Sequence, residues 1–121
     1  MKLEILGDHA PSGVYMADFL GVERDDYYNP DEPSPSLRWR FRVVRGQYDG
    51  HLICGFTDLV PRDNNSCGRF LGAITGDEPV AGLSVELDDF VGQRYLLVVD
   101  VEPGSYIPSI EACVAVSGRI T

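Results

Sequence analysis

Three arginines alternate with large apolar residues in the stretch LRWRFRVVRG, which spans residues 37–46. Cations that track phosphates, combined with aromatic rings on which bases stack, are what proteins use to hold a single nucleic-acid strand. The candidate phosphate contacts are Arg38, Arg40 and Arg42, and the candidate stacking residues are Tyr27, Tyr28 and Tyr106. The pattern therefore predicts a surface for single-stranded nucleic acid.

The same alternation has a purely structural interpretation. With the period of two that strands have, Trp39, Phe41 and Val43 face the core, while the arginines face water and cover apolar surface with their stems. The formal net charge of −9 repels polyanions at long range. The arginines are thus either a phosphate-binding row or a solvated strand face. A third alternative is a protein-interaction module, in which the acidic surface meets a basic partner or the arginine strand forms a dimer face.

Catalytic and metal-binding patterns are weak in this chain. The sequence contains no G-x-S-x-G elbow, P-loop or G-x-G-x-x-G, and we expect no enzymatic activity and no cofactor. His51, Cys54 and Cys67 match no usual zinc spacing. The acidic residues lack the order of an EF-hand, although they cluster enough to raise the question of a divalent ion: Asp25, Asp26, Asp31, Glu32, Asp88 and Asp89. We predict no resident metal.

The elements that must position the arginines are predicted to be strands. Residues 13–23 are rich in apolar residues and predict a first strand that bends at Gly21. Residues 24–36 contain three prolines and several acids, which predicts a long exposed loop. Residues 37–46 form the second strand, the turn Gly46–Gly50 carries an Asp-Gly pair, and residues 51–57 return as the third strand.

The second half of the chain adds a helix and two strands. Cys67, Phe70, Leu71 and Ile74 recur at helical spacing, with Ser66 or the asparagine before it as the cap and Gly76 as the stop. Residues 87–90 predict a helical turn. Residues 94–101 are almost continuously apolar, which predicts a strand buried on both sides. Residues 110–118 alternate as a fifth strand, with Ile110, Ala112, Val114 and Val116 expected on one face.

This order of elements predicts an all-β chain with one short helix between strands 3 and 4. We expect a five-stranded, OB-like Greek-key barrel that forms a single domain over residues 1–121. Closure removes the exposed edges of short strands. In such barrels strands 2 and 3 and the loops 1–2 and 4–5 form the binding groove, so the arginines and the three tyrosines are expected to line it.

Several motifs carry a resemblance to a known group of proteins. They are Trp39, Phe41 and Val43 in a strand, Gly46, Tyr48 and Gly50 in a hairpin, Thr57, the segment Phe70 to Gly76, and the later LDDFVGQRYLLVVDV. Together they resemble uncharacterised phage and prophage proteins of OB type that look like single-strand DNA-binding proteins. The resemblance implies the OB fold and a role in replication or recombination. The chain departs from the group at His51, where a lysine or arginine is usual.

Compartment and partners follow from what the sequence lacks. The N-terminal stretch has no long apolar core typical of a signal peptide. The longest apolar run, YLLVV at residues 95–99, is far shorter than the roughly 18 residues of a membrane span. We expect a cytoplasmic protein that does not enter membranes. Its expected partners are single-stranded nucleic acid, another protein, or a further copy of itself.

Overall fold

Five antiparallel strands form one sheet in the order β3-β2-β1-β4-β5. The computed structural model describes residues 11–27, 34–62, 65–76, 82, 84–101 and 109–116. The elements are β1 Gly13–Tyr27, β2 Ser34–Val43, β3 Leu52–Thr57, α1 Ser66–Thr75, a 3-10 turn Leu87–Phe90, β4 Arg94–Asp100 and β5 Ser109–Ala115. The prediction of a mostly-β chain with its helix between the third and fourth strands is confirmed.

The hydrogen-bonded ladder ends at β3 on one side and at β5 on the other. Within the described residues the sheet is therefore not closed into a barrel by a ladder between these two strands. β3 and β5 run in the same direction, because each is antiparallel to a direct neighbour of β1. They lie close to each other at Gly55, where Cδ1 of Ile110 lies 3.3 Å from the position that a Cβ on this glycine would occupy.

The core lies on one face of the sheet, as the period-two alternation predicts. Phe19 is central, with its ring centroid 5.5 Å from Phe41, 6.3 Å from Tyr95 and 6.4 Å from Trp39. The buried apolar residues are Ala17, Phe19, Trp39, Phe41, Val43, Ile53, Cys67, Ile74, Tyr95, Leu97 and Val99. Strands from both halves of the sheet and the helix thus share one core.

Helix α1 covers part of this core through Cys67 and Ile74. The side chain of Asn65 accepts a hydrogen bond from the Gly68 amide at 2.9 Å, and Gly76 ends the helix at φ 80°. The predicted helix and both of its ends are confirmed. The Tyr95 hydroxyl donates to the Ile74 carbonyl at 2.6 Å, which ties the helix to β4. In the described part of the chain, no helix is long and apolar enough to cross a membrane.

The predicted loop over residues 24–36 is wrong at both ends. β1 continues to Tyr27 and β2 begins at Ser34, with Asp26 opposite Pro35 and Tyr27 opposite Ser34. Antiparallel pairing depends on backbone groups, so the polar side chains do not end it. Pro35 is tolerated because this end of β2 pairs only with β1, and proline lacks the N–H that a second neighbour would need.

The outer side of β4 is exposed, so its expected burial on both sides is also wrong. Tyr95, Leu97 and Val99 are buried, whereas Leu96 is 38% and Val98 40% exposed. A register shift in the β4–β5 ladder places Ile110 opposite Val99. Ile110 therefore lies on the inward face, whereas Ala112 and Val114 lie on the outward face. The alternation predicted one common face for these residues, and that prediction is wrong. We term one outward surface the aliphatic face: Val14 and Met16 of β1, Leu96 and Val98 of β4, and Ala112 and Val114 of β5.

Candidate nucleic-acid interface

The outward side chains of β1, β2 and β3 form a second surface, which we term the arginine face. Its rows are Glu23–Arg38–Phe56, Gly21–Arg40–Cys54 and Asp18–Arg42–Leu52, read across β1, β2 and β3. The alternation that buries Trp39, Phe41 and Val43 turns the three arginines outward. The structure thus brings Arg38, Arg40 and Arg42 together in one row, as predicted.

The Glu23 carboxylate pairs with two of these arginines. Oε1 of Glu23 lies 3.4 Å from Nη1 of Arg38 and 3.9 Å from Nε of Arg40. Asp18, which lies in the row of Arg42, is engaged by Nε of Arg94 at 3.0 Å. Exposed pairs of this kind contribute only about 0–1 kcal/mol. Among the described residues of these three rows the arginines outnumber the acids, and the pairing with Glu23 is weak enough for a phosphate to replace it.

An aromatic ring that the sequence reasoning missed lies on the same face. Phe56 is 49% exposed, and the guanidinium carbon of Arg38 lies 6.0 Å from the centroid of its ring. A signal was present, since the alternation of β3 turns Phe56 outward when Ile53 faces the core. Recognising it also required the β2–β3 register, which places Phe56 opposite Arg38. The face thus combines cations with an accessible ring.

The predicted tyrosines are not assembled with the arginines by the described residues. Tyr27 is the last residue of β1, opposite Ser34, instead of lying in a loop. Tyr28 and Tyr106 lie outside the described residues. The acids Asp31 and Glu32, which raised the question of a divalent ion, lie outside them as well. The stacking set and the acidic segment therefore stay predictions.

A cleft of about 600 Å³ opens beside the arginine face, between β3, α1 and β5. Its apolar lining includes Phe56, Phe70 and Ile110, and its polar lining includes Ser66, Arg69 and Glu111. Phe70 stacks on Trp39 with a centroid distance of 5.2 Å and an interplanar angle of 25°. A Cβ at position 55 would lie 2.8 Å from Cζ of Phe70, so Gly55 is what allows this ring to lie against β3.

Two thiols also line the cleft, and burial is the main influence on both. Burial raises the pKa of the Cys113 thiol to about 12. Burial also raises the pKa of Cys54, against the opposing effect of the nearby Arg38 and Arg40 guanidinium groups. Both groups are protonated at neutral pH, and a thiol is a much weaker nucleophile than a thiolate.

The residues with metal-ligand chemistry do not converge in the described part of the chain. No three His, Cys, Asp or Glu side chains there are grouped so that they could hold a metal ion. Cys67 is a buried residue of α1 and Cys54 lies on the outward side of β3, so the spaced trio with His51 is not brought together.

Comparison with known proteins adds no relative to this geometry. The chain matches no protein-family model, no curated protein and no solved structure. The arginine face and the cleft are the two features of this chain whose geometry bears on its function.

Proposed function

We propose that this chain is a non-enzymatic single-stranded nucleic-acid-binding protein of the replication or recombination type, and that it binds through the arginine face. The observation that carries the proposal is the outward row of Arg38, Arg40 and Arg42, which adjoins the exposed ring of Phe56 and pairs only weakly with Glu23. A local cationic strip with an aromatic neighbour, in a chain of net charge −9, is a departure from the surrounding charge that binding explains.

The proposal includes an OB-like Greek-key barrel. Three observations support it: the strand order β3-β2-β1-β4-β5, the parallel course of β3 and β5, and the contact between Ile110 and the Gly55 position. A helix between the third and fourth strands is also typical of that fold. In OB-folds the face of strands 2 and 3 binds oligonucleotides, and the arginine face occupies these strands. The resemblance to phage-type single-strand binders agrees with this choice.

The binding mechanism follows from the geometry of β2. Alternate residues of a strand are about 6.5–7 Å apart, so the three guanidinium groups form a straight row that can contact successive phosphates. An incoming phosphate replaces the Glu23 carboxylate at Arg38 and Arg40, which costs little because that pairing is weak. A base stacks on Phe56 and contributes about 1–3 kcal/mol.

The test is fluorescence anisotropy of a labelled dT oligonucleotide at 50 and 300 mM salt. Each neutralised phosphate contributes a slope of about −0.7 in the logarithm of affinity against the logarithm of salt. Three contacts therefore predict about a 40-fold loss of affinity between the two conditions. The variant Arg38→Ala/Arg40→Ala/Arg42→Ala is expected to bind weakly at both salt concentrations and to lose most of the slope.

Two controls test whether binding depends on the arginine face itself, and not on the net charge of the chain or on any change to its surface. Arg62→Gln, an exposed cation outside the face, removes the same charge as Arg40→Gln and should retain most of the affinity. Leu96→Ala/Val98→Ala changes the aliphatic face and should bind like the wild type. Absence of binding at tens of micromolar in 50 mM salt, with the wild-type chain folded, would refute the proposed function.

A protein-interaction role is the alternative, and the aliphatic face is the observation that favours it. Val14 is 64% and Val114 57% exposed, and none of the six residues of this face is charged. Two copies of a chain with net charge −9 repel each other least where both are uncharged, so self-association is the form this role takes. Sedimentation velocity of the wild type and Leu96→Ser/Val98→Ser tests it, since only the wild type should associate.

A further inference from the structure

We propose that the cleft between β3, α1 and β5 receives one unstacked base of the bound strand, and that it favours a base with an exocyclic amino group, such as cytosine, over thymine. The inference rests on the proposed function and deepens it, because it turns a surface without base preference into one with a single selective position.

The cleft begins where the arginine face ends. Phe56 and Cys54 belong to both, since their strand positions pair with Arg38 and Arg40 and their side chains line the cleft. A strand whose phosphates follow the arginines therefore passes the mouth of the cleft within one nucleotide of Phe56. Single strands present bases that are free to leave the stack, and proteins commonly bind such splayed bases between aromatic and polar groups.

The size and walls of the cleft fit a base. Its volume of about 600 Å³ lies within the range of about 300–1,000 Å³ that is usual for small-molecule sites. Phe70 and Ile110 provide apolar walls. Phe70 is held from behind by its stack on Trp39, so the wall is fixed before any ligand arrives. A preformed wall lowers the ordering cost of binding.

The polar lining indicates which base is favoured. Glu111 of β5 offers a carboxylate, which accepts a hydrogen bond from the amino group of cytosine. The N3–H of thymine is a poorer partner, because it lies between two carbonyl oxygens that repel a carboxylate. Ser66 offers a hydroxyl that donates or accepts. Arg69 is exposed at the same cleft and offers a cation to the neighbouring phosphate, which offsets the charge of Glu111.

The experiment is an abasic scan of a labelled eight-nucleotide dC strand, measured by anisotropy at 50 mM salt. In the wild type, one position should be distinctive, with its abasic form binding about tenfold more weakly than dC8. Ala73→Leu fills the cleft from α1 and should lower affinity for dC8 by about the same factor. In that variant the distinctive position should disappear, because the base there no longer enters the cleft.

Two further variants test the chemistry. Ala115→Leu enlarges an exposed alanine of β5 that is not among the cleft-lining residues, and it should leave the scan unchanged. Glu111→Gln is a conservative surface change that should reduce the preference for dC8 over dT8 by about fivefold, since the charge-assisted bond is lost. Circular dichroism confirms that each variant is folded.

The outcomes distinguish this inference from the proposed function. If the wild type binds dC8 through the arginines but every abasic position costs the same in the wild type and in Ala73→Leu, the cleft takes no base and the arginine face alone survives. Equal affinity for dC8 and dT8 in the wild type removes the amino-group preference. If no oligonucleotide binds, both the proposed function and the base site are wrong.

Discussion

The arginine face and the aliphatic face are built on the same sheet by the same alternation, yet they expose opposite chemistry. β2 turns Arg38, Arg40 and Arg42 outward, and β4 turns Leu96 and Val98 outward. β1 serves both, since it pairs with β4 along its first part and with β2 along the rest. The inward rows of the two halves are alike, as both consist of large buried apolar residues.

This contrast separates what the fold requires from what it leaves free. The inward rows are constrained by packing around Phe19, so both halves had to be apolar there. The outward rows carry no such constraint, and a solvated face would suffice on both halves. The residue types of the arginine row and of the exposed aliphatic row are therefore not explained by folding alone. Because the two faces differ in charge, they would suit different partners.

The largest expected effect concerns the inward rows. Phe41→Ala beneath the arginine face should lower the free energy of unfolding by about 3–5 kcal/mol, and Leu97→Ala beneath the aliphatic face by about 2–5 kcal/mol. Their outward neighbours Arg40→Ala and Leu96→Ala should each cost less than about 1 kcal/mol. Urea denaturation measures all four. A loss for Leu96→Ala as large as that for Leu97→Ala would mean that the aliphatic face is covered in solution.

The second effect is a loss of stability at alkaline pH, and it arises in the β4–β5 half of the sheet. Burial, with a smaller effect of Cys113, raises the pKa of Tyr95 from 10.0 to about 12. Between these values the unfolded chain releases the proton and the folded chain retains it, so stability falls as pH rises. The loss approaches about 2 kcal/mol by pH 12. The same argument applies to the buried thiol of Cys113. Its pKa in the unfolded chain is 9.0, so stability begins to fall near that pH.

Tyr95→Phe is the control for the alkaline effect. It should cost about 1 kcal/mol at pH 7, because the Ile74 carbonyl loses its donor. The gap to the wild type should narrow above pH 10, close near about pH 11 and reverse towards pH 12, since the variant has no phenol to ionise. Melting temperatures of both proteins from pH 7 to 11.5 provide the measurement. Parallel curves would mean that Tyr95 titrates normally.

The third effect concerns the pairing of Glu23 with the arginines of the arginine face. Glu23→Gln removes the carboxylate shared by Arg38 and Arg40, so affinity for a dT oligonucleotide at 50 mM salt should rise about fivefold, equivalent to about 1 kcal/mol. Asp100→Asn is the matched control, because it removes one negative charge from β4 without a neighbouring row of arginines. Equal gains in both variants would show that net charge, and not the pairing, limits binding.

The smallest effect uses Cys54 as a reporter of the same face. Arg38 and Arg40 lower the pKa of this thiol against the effect of burial. In Arg40→Ala the pKa should rise further, and alkylation of Cys54 by iodoacetamide at pH 8 should slow about twofold. Mass spectrometry of the modified peptides gives the rate, with Cys113 as a slow internal reference. An unchanged rate would mean that the guanidinium group does not reach the sulfur.

Residues close in sequence predicted the helix, the strands and the hairpin turn. The features that were missed depend on contacts between strands that are distant in sequence. The α1 caps and the hairpin at Gly46–Gly50 depend on residues close in sequence, and they were predicted correctly. The extension of β1 past the Gly21 bulge and the placement of Ile110 opposite Val99 depend on partner strands, and no local pattern encodes them. The prolines and acids of residues 24–36 favoured a loop because the pairing that overrides them is nonlocal.

The candidate site divides in the same way. Period two was enough to predict the arginine row, because alternation alone turns it outward. Phe56 required the β2–β3 register. The cleft required three elements at once, since it exists only because Gly55 of β3 leaves room for Phe70 of α1 beside Ile110 of β5. Sequence reasoning over one segment at a time cannot assemble such a space.

The stack of Trp39 on Phe70 gives the molecule a built-in optical probe. Trp39 is the chain's single tryptophan, it is buried, and its indole N–H donates to the Thr57 hydroxyl at 2.8 Å. Its fluorescence therefore comes from one site of defined polarity, one ring away from the cleft. A group that binds beside Phe70 changes the surroundings of the ring on which Trp39 stacks, so the emission of the unlabelled protein reports occupancy of the cleft.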